Sequence, residues 1–146
     1  MKEPTPTREI IRDCLAVRIR LIARTVSSLY DEAVAAHDVT IAQLNMLAAL
    51  GEVGPCAPRK LGEVLQLERS TVSRNLDLLM AKGLVEAVSS DAKGVREVTL
   101  SLKGQLKIAA VLPDWRAAQM QACEVLGAEG AQALRDASVN IWSAPG

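Results

Sequence analysis

Ser70, Thr71, Ser73, Arg74 and Asn75 place five polar side chains within six residues, the densest set in this chain able to read the edge of another molecule. Small hydroxyls permit close approach to a duplex, and an arginine guanidinium can grip guanine O6 and N7 or a phosphate. The chain offers little else in the way of chemistry. Its single histidine, His37, falls in a connection beside Asp38 and reads as a solvated loop residue rather than a general base. No glycine-rich phosphate loop, CxxC pair or HExxH spacing occurs, so no catalytic residue, cofactor or metal is expected. Cys14, Cys56 and Cys123 are an odd number at wide spacing, as expected of reduced thiols, with a redox-sensing thiol kept as an alternative.

The five polar residues need a frame, and Pro58–Val85 supplies one. PRKLGEVLQLERSTVSRNLDLLMAKGLV has the spacing of two short helices joined by a tight connection, the helix-turn-helix arrangement whose second helix enters a DNA major groove. Glu68 and Ser70 offer negative charge or a capping oxygen at the start of that helix, and Lys82-Gly83 closes it with a cation and a residue tolerant of left-handed backbone. Leu84 can then cover Leu79. Val72, Leu76 and Leu79 recur at i, i+4, i+7 and predict the buried stripe, leaving Ser70, Ser73, Arg74 and Asp77 on the opposite side. Taken alone, the pattern equally suits an ordinary amphipathic helix with a solvated face.

The residues that follow weigh against the ordinary helix. Val85–Val88 and Val95–Leu100 are β-prone runs separated by turn residues that end in Gly94, a hairpin placed directly after the second helix. Such a hairpin is a wing. Arg96, Val98 and Leu100 share one face of the returning strand, which would pack Val98 and Leu100 on the helices and extend Arg96 toward the tip, where Lys93 sits. A cation there suits a narrow minor groove.

Together, LxxxLxLERSTVSRNLDLLMAKGLV and DAKGVREVTLSLKG resemble the winged-helix core of MarR-type bacterial transcription regulators, including the wing that ends here in Leu100-Ser101-Leu102-Lys103-Gly104. CLAVRIRLIARTVSSLYDEAV, DVTIAQLNMLAAL and LPDWRAAQ extend the similarity over nearly the whole chain. Three positions depart from the usual pattern: Gln66 replaces a turn glycine, Glu68 a better-capping Asp, and Ala57 a capping Ser or Thr. The resemblance implies a homodimer in which N- and C-terminal helices interlock, and a small phenolic or carboxylate effector bound between the dimer helices and the winged region.

Composition is consistent with one domain over residues 1–146, with a winged core at about 40–100 and dimerisation helices at about 7–36 and 101–143. The chain is 49% hydrophobic, enough for a real core. With only Tyr30, Trp115 and Trp142 as aromatics, it is poorly equipped to stack single-stranded bases. Formal net charge is zero, but residues 57–107 hold nine basic residues against six acidic, an excess of +3 where the reader should be. No apolar run approaches the roughly 20 residues that span a bilayer and the first residues lack a signal-like apolar segment, so a cytoplasmic protein without membrane contact is expected.

The flanks read as assembly elements. From Thr7 to about Ala36, Ile11, Leu15, Ile19, Ile22, Val26 and Leu29 form one stripe and Ile10, Cys14, Val17 and Leu21 a neighbouring one, an apolar arc wide enough to serve both its own domain and a partner. Arg18 projects from within that arc. It either snorkels, pairs with a carboxylate of a partner subunit, or binds an anionic effector. Thr40-x-x-Gln43 is a capping box with Val39 and Leu44 as its hydrophobic staple, opening a helix Ile41–Val53 that Gly54-Pro55 ends. Pro58 suits the first turn of the next helix. Ser101 can cap a last long helix with stripe Leu102, Leu106 and Ala109, which Pro113 should kink or interrupt. It resumes through Trp115, Ala118, Ala122 and Val125, stops at Gly127 and is followed by a helix carrying Leu134, Ala137 and Ile141.

The fold expected is mainly α with a small β-hairpin wing, a winged helix-turn-helix with N- and C-terminal dimerisation helices. The function expected is a homodimeric, sequence-specific reader of a pseudo-palindromic operator in double-stranded DNA, a repressor relieved by an effector. Ser70, Thr71, Ser73, Arg74 and Asn75 would serve the major groove, and Lys93 and Arg96 the wing. Alternatives are a winged-helix protein-interaction module without DNA binding, suggested by the zero net charge and altered turn, and the thiol switch.

Overall fold

A computed structural model describes residues 5–88, 94, 96–139 and 141. Its order is α1 (Pro6–Asp13), α2 (Leu15–Val34), a 3-10 turn (Ala35–His37), α3 (Ile41–Val53), α4 (Pro58–Leu65), α5 (Arg69–Ala81), β1 (Val85–Val88), β2 (Glu97–Leu100), α6 (Leu102–Leu126) and α7 (Ala128–Val139). No single helix among the described residues is long and apolar enough to cross a membrane.

The winged region follows its local signals. Thr40 Oγ1 accepts from the Gln43 N–H and the Gln43 side chain accepts from the Thr40 N–H, each at 3.2 Å, which completes the capping box. Asp31 of α2 accepts the Ile41 N–H at 2.7 Å, so another free donor of the first turn of α3 is used to dock α2. The staple residues Val39 and Leu44 are buried, as are Met46, Leu47 and Leu50, which form the centre of the core with Leu61, Val72, Leu79 and Leu84. The α4–α5 turn closes although it lacks glycine: Gln66 itself adopts the left-handed conformation (φ 53°, ψ 48°), and its amide donates to the Glu63 carbonyl at 3.0 Å. α5 ends as a Schellman motif, with Gly83 N–H on Met80 O at 2.9 Å, Leu84 N–H on Leu79 O at 3.0 Å, and Gly83 at φ 73°.

β1 and β2 pair antiparallel with Val85 opposite Leu100 and Val88 opposite Glu97. The returning strand begins at Glu97, two residues later than its β-propensity suggests, and Val95 and the tip at 89–93 lie outside the described residues. A further pairing was not foreseen. Cys56 exchanges both backbone hydrogen bonds with Val98, at 3.1 and 2.9 Å, adding a third, one-residue rung between the α3–α4 connection and the hairpin. Long-range pairing of a single residue leaves no periodicity to read.

Three flanking expectations need correction. The N-terminal helix is broken at Cys14, which is extended (ψ 113°) with no proline or glycine nearby, and Arg18 donates a guanidinium hydrogen bond to the Arg12 carbonyl exposed by the break. Pro113 does not interrupt α6, which runs unbroken through it. The inward stripe of α6 keeps the expected Trp115, Ala118 and Ala122, but before Pro113 it is Gly104, Ile108 and Val111, whereas the expected Leu102 and Leu106 are 70% and 63% exposed on the opposite side. Periodicity gives the spacing of a stripe and not which of two apolar stripes faces inward. In the winged region, Glu68 stands at the N-cap of α5 without a side-chain hydrogen bond, so of the two roles expected there it brings charge and not a capping bond. Ser101 does cap α6, its Oγ accepting the Gly104 N–H at 3.0 Å.

Candidate nucleic-acid interface

On α5 the inward stripe Val72, Leu76 and Leu79 is at most 3% exposed, and this fixes what the rest of the helix shows to solvent. Ser70, Ser73, Arg74 and Asp77 are exposed, as the spacing predicts. Arg74 has no hydrogen-bond or ion-pair partner among the described residues, so its fork of donors is available to a ligand. Thr71 and Asn75 are placed differently. Both are half-buried on the flank of the helix, and the Asn75 amide donates to the Thr71 carbonyl at 3.1 Å. One donor of that amide is therefore used within α5.

The wing joins this face through a cleft of about 1130 Å3 between α4, α5 and β2, whose walls include Arg59, Arg69, Ser73, Asp77, Arg96 and Val98. Val98 is buried on the helices, while Arg96, two residues earlier on the same face and just before β2 begins, is exposed. Lys93 lies outside the described residues. Sequence reasoning missed Arg69, the first residue of α5, and Arg59, which pairs with Glu63 at 3.3 Å on the open surface of α4. The signal was available, since both are cations at or near the start of a helix in the motif. Together with Arg74 and Arg96 they give the cleft and its rim four guanidinium groups, against which stand Glu63, Glu68 and Asp77.

Residues 37–94 match the family model described as the MarR family. Over that segment the chain is similar to the MarR family. Solved structures share the fold over most of the chain. A probable transcriptional regulator from Pseudomonas aeruginosa superposes with a TM-score of 0.80 at 23% identity, covering 90% of this chain and 98% of that one. A MarR variant from E. coli complexed with operator DNA gives 0.79 at 21% identity, covering 91% and 96%. The M. tuberculosis regulator MosR in complex with DNA gives 0.76 at 24% identity, covering 88% and 93%. Among curated proteins no sequence matches this one.

Outside the matched segment, Arg18 is exposed, turned onto the Arg12 carbonyl, and lines no wall of the cleft. His37 is not the solvated loop residue that its neighbours suggest: its Nε2 lies 2.6 Å from Asp114 Oδ2 of α6, and its side chain is 21% exposed.

Proposed function

We propose that this chain is a homodimeric transcriptional regulator, a repressor, that reads a pseudo-palindromic operator in double-stranded DNA in the cytoplasm. The observation that carries the reading is the exposed, unpartnered Arg74 between Ser70, Ser73 and Asp77 on the outer face of α5, beside a cleft that Arg96 of the wing shares. Two relatives of the same fold are solved with DNA. The protein-interaction alternative rested partly on the altered turn, and Gln66 closes that turn without glycine. Ser70, Ser73 and Arg74 serve as the major-groove readers, with Thr71 and Asn75 at their edge. Arg96 and Lys93 serve as wing contacts.

The dimer is supported by apolar surface that one copy leaves bare. Ile10, Ile11, Leu15 and Ile19 on α1 and α2, Met120 and Val125 on α6, and Val139 at the end of α7 are each 59–73% exposed. A twofold axis through these helices sets two copies of α5 against successive major grooves, about 34–36 Å apart. A small phenolic or carboxylate effector relieves repression by favouring a dimer whose α5 helices are wrongly spaced. An anion held by Arg18 would have to compete with the Arg12 carbonyl.

The test is a gel-shift assay on the DNA upstream of the protein's own gene, with a salt titration. The parent is expected to bind with an affinity that falls steeply with salt. Arg74→Ala is expected to lose about 1–3 kcal/mol of specific binding while staying dimeric. Undiminished binding by that variant at equal salt would remove Arg74 from the reading face.

A further inference from the structure

We propose that the joint where α5, α6 and the 3-10 turn meet sets the half-site spacing the dimer accepts, with Lys103 and Lys107 as its positioning residues. The inference rests on the DNA-reading dimer above and adds a determinant of operator choice that touches no base.

Each pair of the three elements is tied directly. From α5 to the turn, Lys82 at the C-cap donates its ammonium to the Asp38 carbonyl at 2.5 Å and lies 3.4 Å from its carboxylate. From α6 to the end of α5, Lys103 Nζ donates to the Lys82 carbonyl at 2.8 Å and Ser101 Oγ to the Gly83 carbonyl at 2.6 Å. From α6 to the turn, Lys107 Nζ donates to the His37 carbonyl at 2.8 Å, and Asp114 lies 2.6 Å from the His37 ring. Lys103, Lys107 and Asp114 are spaced by four and seven residues and so occupy one stripe of α6.

The acceptors explain why cations make these ties. Carbonyls at the ends of helical segments lack an internal partner and carry the negative end of the helix dipole, so an ammonium placed there satisfies a lone pair and the local field together. Close packing removes slack from the same corner, since a Cβ on Gly104 would lie 2.2 Å from the Leu84 carbonyl oxygen. Three elements tied pairwise form a closed triangle. α5 cannot swing relative to α6 and the end of α2 without opening one side. Because α2 and α6 carry part of the bare apolar surface that a second copy covers, the triangle transmits the dimer geometry to the reading helix. The base-reading face, Ser70, Ser73 and Arg74, is not part of it. Loosening the triangle is therefore expected to change which spacing is accepted and to leave the half-site sequence unchanged.

The experiment selects binders from a pool of random duplexes with the parent and with a Lys103→Met, Lys107→Met variant, methionine keeping most of each apolar stem. The parent should enrich one motif in two copies at a single separation. The variant should enrich the same motif over several separations and bind the parent-spaced duplex several-fold more weakly. A variant that melts earlier but keeps the single separation has lost a merely structural contact, and that result overturns the joint while leaving the DNA reading intact. A parent that enriches no motif, or only unpaired copies, overturns both. If the double variant does not fold, Lys103→Met alone, whose side chain is exposed, goes through the same selection, and a single unchanged separation there overturns the joint equally.

Discussion

Burial decides the chemistry open to a thiol. Cys56 is 7% exposed and held by the Val98 backbone, and its pKa is raised first by desolvation and then by Glu97, with Lys60 opposing. The raised pKa means that folding favours the neutral thiol, a contribution present below the ordinary thiol range and lost as pH climbs past it. Thiolate is the reactive form, so Cys56 should be alkylated by iodoacetamide at neutral pH more slowly than the half-buried Cys14 and Cys123. Peptide mapping by mass spectrometry reads the order, and Cys56 modified first would show that the β2 rung opens readily. Arg135 Nη2 lies 3.8 Å from Cys123 Sγ, at the outer limit of a contact to sulfur. Asn75 makes the complementary point for DNA reading: its type suits adenine, but a hydrogen bond to Thr71 within α5 takes up part of that capacity. Residue type was legible in the sequence. Orientation was not.

At the scale of elements, the signals that held are those acting over a few residues. Thr40, Gln43 and Ser101 start helices through hydrogen bonds to neighbouring backbone, Pro58 starts one through its fixed φ, and Gly83 ends one through its left-handed conformation, and sequence carries such geometry directly. Gly104 is different, because what its missing side chain permits lies 20 residues away. A Cβ there would meet Leu100 Cδ1 at 2.6 Å, the end of a side chain that can turn aside, and the Leu84 oxygen at 2.2 Å, which is backbone and cannot readily yield. Gly104→Ala is expected to destabilise the fold by about 1–3 kcal/mol despite the better helix propensity of alanine. Urea denaturation measures this, and an equal or higher midpoint would mean that α6 is not seated on the strand entrance. α6 runs on through Pro113, where packing against α2 along its length outweighs one residue's preference, whereas the break at Cys14 follows no proline or glycine signal.

For the whole molecule, the apolar arc of the N-terminal segment divides into two. Ile22, Val26 and Leu29 are half-buried, whereas Leu15 and Ile19 are 71% and 61% exposed. The exposed half makes the better test of the subunit interface, because a substitution there leaves the core of one copy untouched. Burying such a side chain contributes about 1.5–3 kcal/mol, and a twofold interface counts it twice. Leu15→Asp is expected to yield folded monomer by analytical ultracentrifugation and to lose operator binding with every DNA-contact residue in place. A variant that stays dimeric would move the interface away from α2.

The winged helix-turn-helix, the exposed polar face of α5 and the order of the elements were determined by the sequence itself, because helix caps, turns and a single amphipathic stripe are local and each residue carries its share of the signal. Tertiary structure alone decided which of the two apolar stripes of α6 turned inward, that Cys56 became a third rung on β2, and that Lys82, Lys103, Lys107 and Asp114 closed one joint around the 3-10 turn. Those outcomes depend on contacts between segments 20 to 80 residues apart, where the identity of each partner is set by packing and not by spacing along the chain.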